Sequence, residues 1–190
     1  MMAGGEKCVI IAAGLGSRIA GLSPSKPLLK IMGRPLIGWV MSSAARAGVR
    51  EFVVVTGYRS EEVEAYVREL AGETGLLVET VFNEEWKAEN GISVARAEGA
   101  AGDRFFLSMS DHLFEPGNIT RLREAGPLPG GLVLAVDTRV GGNPFIDVDD
   151  VTKVTVEDGR IRDIGKELTG YNAYDTGLFF CTSGLFGALA

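Results

Sequence analysis

The sequence has 190 residues, enough for one domain with a substantial core and borderline for two. With 46% hydrophobic and 23% charged residues it reads as an ordinary globular chain rather than a disordered one, and a formal net charge of −6 argues against a duplex-binding protein. No apolar run approaches the ~20 residues needed to span a bilayer and no signal peptide opens the chain, so a cytoplasmic protein without membrane insertion is expected.

In chain order, KCVIIAA (residues 7–13) is a continuous apolar run, as expected of a strand buried on both faces. Cys8 lies in it and Cys181 lies in LFFCT. Neither has metal-type spacing, so both read as buried free thiols in a reducing compartment. Residues 35–48 read as a helix, with Pro at the start and Gly at the end, and EFVVVTG as a second buried strand. The next helix places Val63, Tyr66, Val67 and Leu70 on one face, with Ser60 as its cap and Glu61 and Glu62 at the positive end of its dipole. LLVETVF and RFFLSMS are strands on either side of a short helix, GISVARAEGA. A helix near residues 118–125 and the strand GLVLAV follow, joined by the surface loop GPLPGG. VTKVTVEDGRIRDIG is a hairpin turning at Asp158-Gly159, and DTGLFFCT is a last strand. The order predicts an α/β fold, a doubly wound, mostly parallel sheet followed by a smaller β-rich half, all in one domain over residues 1–190.

The stretch IIAAGLGSRIAGLSPSKPLLKI carries the strongest chemical signal. It leaves the carboxyl end of the first strand, where open α/β sheets bind ligands. Gly14 and Gly16 let backbone N–H groups turn towards an anion, and Ser17 adds a hydroxyl. Arg18 supplies a planar fork for phosphate oxygens, and Lys26 a mobile point charge. The pattern is not a P-loop, since GxxxxGK[ST] is absent, and it is not the dinucleotide fingerprint, because Ile19 stands where the third glycine belongs.

IAAGLGSR with SPSKPL resembles the signature of the nucleotidyltransferases that activate sugar or alcohol phosphates. The likeness extends along the chain. SMSDHLF is similar to the family's metal-binding segment, RDIGKEL to the segment whose Lys meets the acceptor phosphate, and YDTGLFF to the strand that shapes the acceptor pocket. Within the family, the segments are most similar to the cytidylyltransferases that make CDP-inositol from inositol-1-phosphate. The resemblance implies a Rossmann-like nucleotidyltransferase fold with a β-rich acceptor-side second half, Mg²⁺ as cofactor, and CTP and a phosphorylated alcohol as ligands. It implies catalytic roles for Arg18 and Lys26, and a nucleotide site formed by Ala12, Ala13, Gly14, Leu15, Gly16, Ser17, Arg18, Lys26, Asn83, Asn90, Gly91 and Ser93. Asp111 is the implied metal ligand, and Lys166, Tyr174 and Asp175 the implied acceptor site. A homodimer and a downstream membrane transferase that uses the CDP-alcohol are compatible with this activity; nucleic acid is not an expected partner.

The chemistry agrees with these residue types. An acceptor phosphate is already ionised near neutral pH, so nucleotidyl transfer needs alignment and neutralisation of crowded negative charge rather than a strong base. A chain with one His can run it. That residue, His112, is expected to point away from its neighbour Asp111 in extended backbone and to be structural. Simpler roles stay open for others: a cap or turn for Asp111, loop capping for Asn83, Asn90, Gly91 and Ser93, the charged end of a hairpin strand for Lys166, and core packing for Tyr171 and Tyr174. Asp147, Asp149 and Asp150 read as a solvated acidic loop. The family usually continues for several more elements, including a second metal-binding Asp. The sequence is therefore expected to be a fragment, or to use Asp175 or the acidic loop in that role. Sugar-1-phosphate, phosphocholine-like and molybdopterin-type transferases, and a non-catalytic nucleotide-sensing subunit, are the alternatives.

Overall fold

The first apolar run forms β1 (Lys7–Ala12), buried from Cys8 onwards because both faces of the strand are covered. The structure, a computed structural model, describes residues 5–16, 23, 25–144 and 146–189. After a single 3-10 turn over Lys26–Leu28 and a small ribbon of β2 (Lys30–Ile31) and β3 (Arg34–Pro35), the chain enters α1 (Leu36–Arg46). There follow β4 (Glu51–Thr56), α2 (Ser60–Thr74), β5 (Leu77–Phe82), the short α3 (Asn90–Ala95) and α4 (Glu98–Ala101), and β6 (Arg104–Met109). Where one short helix was expected after β5, two stand in sequence, α3 and α4. The expected cap also shifts: Ser60 is the first residue of α2, and Arg59 takes the cap position in left-handed backbone, its side chain bonded to Glu62 rather than capping the helix.

Strands β5, β4, β1 and β6 pair in parallel in that order, so the third, second, first and fourth strands of this half lie side by side. This is the doubly wound arrangement, and strand order reverses between β1 and β6. Alternate residues of β1 face opposite layers. Cys8, Ile10 and Ala12 pack with α1, α2 and the later helix α5 (Pro116–Ala125), whereas Val9 and Ile11 pack with α3, α4 and the last helix, α6 (Gly184–Leu189). Cys8 lies in the first layer and Cys181 in the second, and both are buried free thiols pushed up to about 12 by desolvation.

The second half adds β7 (Leu132–Asp137), the hairpin β8 (Lys153–Glu157) and β9 (Arg160–Gly165), and the long β10 (Ala173–Thr182). β10 runs antiparallel to β6 through residues 178–182 and to β8 through Ala173 and Tyr174. β7 occupies the other edge of β10 along both stretches, so β6 and β8 share one edge and the sheet forks between them. The pairing of β10 with β7 breaks between Asp175 and Phe179, and Gly177 sits there in left-handed backbone at φ +68. The functional cavity opens at this fork.

Candidate functional site

Three chain ends converge at the fork. The first leaves β1 through Gly14 and Gly16, and the Ser110 N–H holds it to the end of β6 by donating to the Ile11 carbonyl at 3.0 Å. Gly16 has φ +63, and a Cβ there would fall 2.5 Å from the Lys26 Cβ, so only glycine lets the lysine stem lie against the loop. The second chain end leaves β6 at Asp111 and His112. The third belongs to the hairpin side, where Thr152 precedes β8 and Lys166 follows β9. Together they line a cavity of about 770 Å³.

Of the residues proposed from sequence, Gly14, Gly16, Lys26, Asn90, Asp111, Lys166 and Asp175 line that one cavity. Residues more than 150 positions apart in the chain thus meet at one site. Lys26 Nζ contacts Asp111 Oδ2 directly, with the two side chains 33% and 16% exposed. Lys166 Nζ reaches Asp150 Oδ1 at 2.7 Å. The buried Lys153 donates from Nζ to the Lys166 carbonyl and lies 5.8 Å from the centre of the Tyr171 ring, which anchors the segment carrying Lys166. Asp175 accepts the Gly177 N–H at 2.7 Å; desolvation raises its carboxyl above the usual carboxylate range, partly opposed by that N–H and by nearby His112.

Other proposed residues lie elsewhere. Ser17 and Arg18 are outside the described residues. Asn83 and Ser93 are buried and bonded to each other, Asn83 Nδ2 donating to Ser93 Oγ at 3.0 Å, while Asn83 Oδ1 accepts the Glu85 N–H at 2.9 Å. These bonds tie both side chains into the loop that enters α3, and neither residue is among the cavity lining. Gly91 lies in the first turn of α3, Ala12 and Ala13 are buried at the end of β1, and exposed Leu15 is also away from the cavity lining. Tyr174 is 3% exposed, its ring centre 5.5 Å from that of Tyr171. It cannot share the cavity with Asp175, because adjacent residues of a strand face opposite sides.

His112 departs from expectation in the opposite sense. It lines the cavity beside Asp111, because β6 ends at Met109 and the strand alternation that would separate the two no longer applies. In the acidic loop Asp150 pairs with Lys166 and Asp147 Oδ1 accepts the Asp149 N–H at 3.2 Å; among the described residues no group of three or more His, Cys, Asp or Glu is placed to hold a metal. His112, Asp147, Asp150 and Thr152 are among the lining residues that sequence reasoning did not assign to the site. Nothing local marks His112 or Thr152, since only the fork in the sheet brings them to the cavity.

A glycine-lined loop after β1 and a carboxylate after β6, on either side of the strand-order reversal, define a nucleotide-binding domain of the doubly wound α/β class. The particular family follows from comparison: the model of the MobA-like NTP transferase domain matches residues 8–154, and the chain belongs to that family. It is 34% identical over 179 residues to the bifunctional IPC transferase and DIPP synthase of Rubrobacter xylanophilus, covering 94% of this chain and 39% of the relative. It is 35% identical over 184 residues to the protein of the same name from Aquifex aeolicus, covering 95% and 40%. The chain therefore spans about two-fifths of the length of these curated relatives. Among solved structures, the inositol-1-phosphate CTP transferase from T. maritima superposes with a TM-score of 0.82 at 27% identity, covering 98% of this chain and 74% of that one. Among the described residues, no helix is long and apolar enough to cross a membrane.

Proposed function

We propose that residues 1–190 act as one cytidylyltransferase domain, moving CMP from CTP to a small phosphorylated alcohol, inositol-1-phosphate first, with release of pyrophosphate. The observation that carries this reading is the convergence of the Gly14–Gly16 loop, Lys26, Asp111 and Lys166 on one cavity. The names of the relatives and of the T. maritima structure supply the acceptor and the nucleotide.

In the transfer, an oxygen of the acceptor phosphate forms a bond to the α-phosphorus of CTP. The bond from that phosphorus to the bridging oxygen breaks, and pyrophosphate leaves with the electron pair. The glycine loop presents backbone N–H groups to the triphosphate, the same ligand for which the sequence proposes Ser17 and Arg18. Lys26, held against Gly16, meets the charge that builds up on the reacting phosphates. Lys166 holds the acceptor phosphate from the hairpin side, and Asp175 faces the acceptor body.

The donor set also fits a divalent cation. Asp111 is a cavity-lining carboxylate beside the position of the phosphates, and Mg²⁺ takes one or two carboxylates, completing its shell with phosphate oxygens and water. When bound, Mg²⁺ would neutralise triphosphate charge. Lys26, which contacts Asp111 directly, would then turn its charge to phosphate.

The test is pyrophosphate release with four nucleoside triphosphates crossed against inositol-1-phosphate, phosphocholine and glucose-1-phosphate. CTP with inositol-1-phosphate should turn over fastest, and only with a divalent cation present. A preference for UTP with glucose-1-phosphate would move the domain to a sugar-nucleotide activity, and nucleotide binding without turnover would make it a sensor.

A further inference from the structure

We infer that His112 selects the acceptor: its Nε2 accepts a hydrogen bond from a hydroxyl of the molecule whose phosphate attacks CTP. This rests on the transferase activity proposed above and concerns which acceptors that site admits.

The geometry assigns the ring's proton. His112 Nδ1 lies 2.8 Å from the Thr176 carbonyl oxygen, which can only accept, so Nδ1 carries the hydrogen. In the neutral imidazole, Nε2 is then a lone-pair acceptor. The ring is held in place from below. A Cβ on Gly177 would stand 1.9 Å from Nδ1, so the imidazole packs directly on that glycine's backbone at the break in β10. Nε2 has no protein partner among the described residues, although His112 lines the cavity with Lys26, Asp111, Lys166 and Asp175.

The rest of the lining narrows the ligand group. Lys26 and Lys166 are cationic and suit phosphate oxygens. A lone-pair acceptor does the reverse: it repels phosphate oxygens and attracts a hydroxyl proton. Asp175 lies near His112, and one of its oxygens already accepts the Gly177 N–H. The lining thus combines acceptor groups with two cationic groups, complementary to a molecule that carries both a phosphate and hydroxyls. A quaternary ammonium head offers no proton to Nε2. A phosphorylated polyol does, and an acceptor without a hydroxyl at that position would lose the hydrogen bond.

The experiment measures KM for inositol-1-phosphate, for its monodeoxy isomers and for CTP in the parent and in His112→Asn. The Asn amide can still donate to the Thr176 carbonyl, so the link to β10 survives, but nothing replaces Nε2. KM for inositol-1-phosphate should rise about tenfold, the scale of one hydrogen bond near 1.4 kcal/mol, while KM for CTP stays unchanged. One monodeoxy isomer should bind the parent about tenfold worse and the variant no worse than inositol-1-phosphate itself. An unchanged acceptor KM in H112N, or an equal rise for CTP, overturns the inference. Should the variant fail to fold, the parent alone decides: if every monodeoxy isomer matches inositol-1-phosphate, no hydroxyl is read and the inference falls. A parent that turns over phosphocholine but no polyol phosphate removes the proposed acceptor class and this inference together.

Discussion

Lys26 and Asp111 touch across the cavity, and each would leave the other unpartnered if removed. An ion pair at the wall of an open cavity, set off against the desolvation of both charges, contributes about 0–1 kcal/mol net to folding. A charge aimed at reacting phosphates is worth far more in the transition state. Lys26→Ala should therefore lower turnover by about 10²–10³, while shifting the melting temperature by no more than about 2–4 °C. A purified variant with full activity would place Lys26 outside the reaction. Asp175 gives a prediction in pH. Its folded pKa is raised by burial, so the native state holds the proton more tightly than the unfolded state does. Below the ordinary carboxylate pKa both states are protonated and nothing is lost; as pH rises through the folded pKa, the buried charge costs stability. Asp175→Asn keeps an oxygen for the Gly177 N–H and should melt above the parent at pH 7, the gap closing as pH falls below about 4. Thermal unfolding of both proteins at the two pH values checks it, and a gap that widens on acidification refutes it.

Among the elements, β10 does most to build the site. Its carboxyl half completes the parallel core against β6, its amino half holds the hairpin through β8, and the break between them carries Asp175 and Gly177. Gly177 is required there twice, by φ +68 and by the contact with His112. Gly177→Ala should cost at least the ~1–2 kcal/mol of left-handed backbone at a residue with a Cβ, lowering the melting temperature by about 2–8 °C. It should also displace His112 and raise the acceptor KM above the CTP KM. An alanine variant that melts with the parent would mean that the strand passes the break in ordinary extended backbone.

For the whole molecule, the fork divides the work. The doubly wound half supplies the glycine loop, Lys26 and Asp111; the β-rich half supplies Lys166 and Asp175. Lys166→Ala should raise the acceptor KM by about tenfold or more, the scale of one charge-assisted hydrogen bond, and leave the CTP KM within about twofold. A main effect on CTP would reverse the assignment of the halves. What the sequence alone determined follows from local physics. Buried runs such as KCVIIAA and EFVVVTG read as buried strands and Asp158-Gly159 as a hairpin turn, and the structure has them so; the glycines followed by cations after the first strand read as a phosphate loop. Asp111 and Lys166 were legible because their segments resemble those of a known family. Other placements depended on contacts between distant segments. Asn83 and Ser93 satisfy each other across the entry to α3, which removes both from the cavity. Asp111 and His112 face the same space because β6 stops at Met109, before strand alternation reaches them. Lys153 is buried under the Lys166 carbonyl, and Thr152 reaches the site, only because β8 joins the edge of β10 that β6 leaves open. No pattern within a dozen residues encodes a fork in a sheet, since its partners lie up to 78 positions apart (Arg104 and Thr182) and are chosen by which edge remains unpaired.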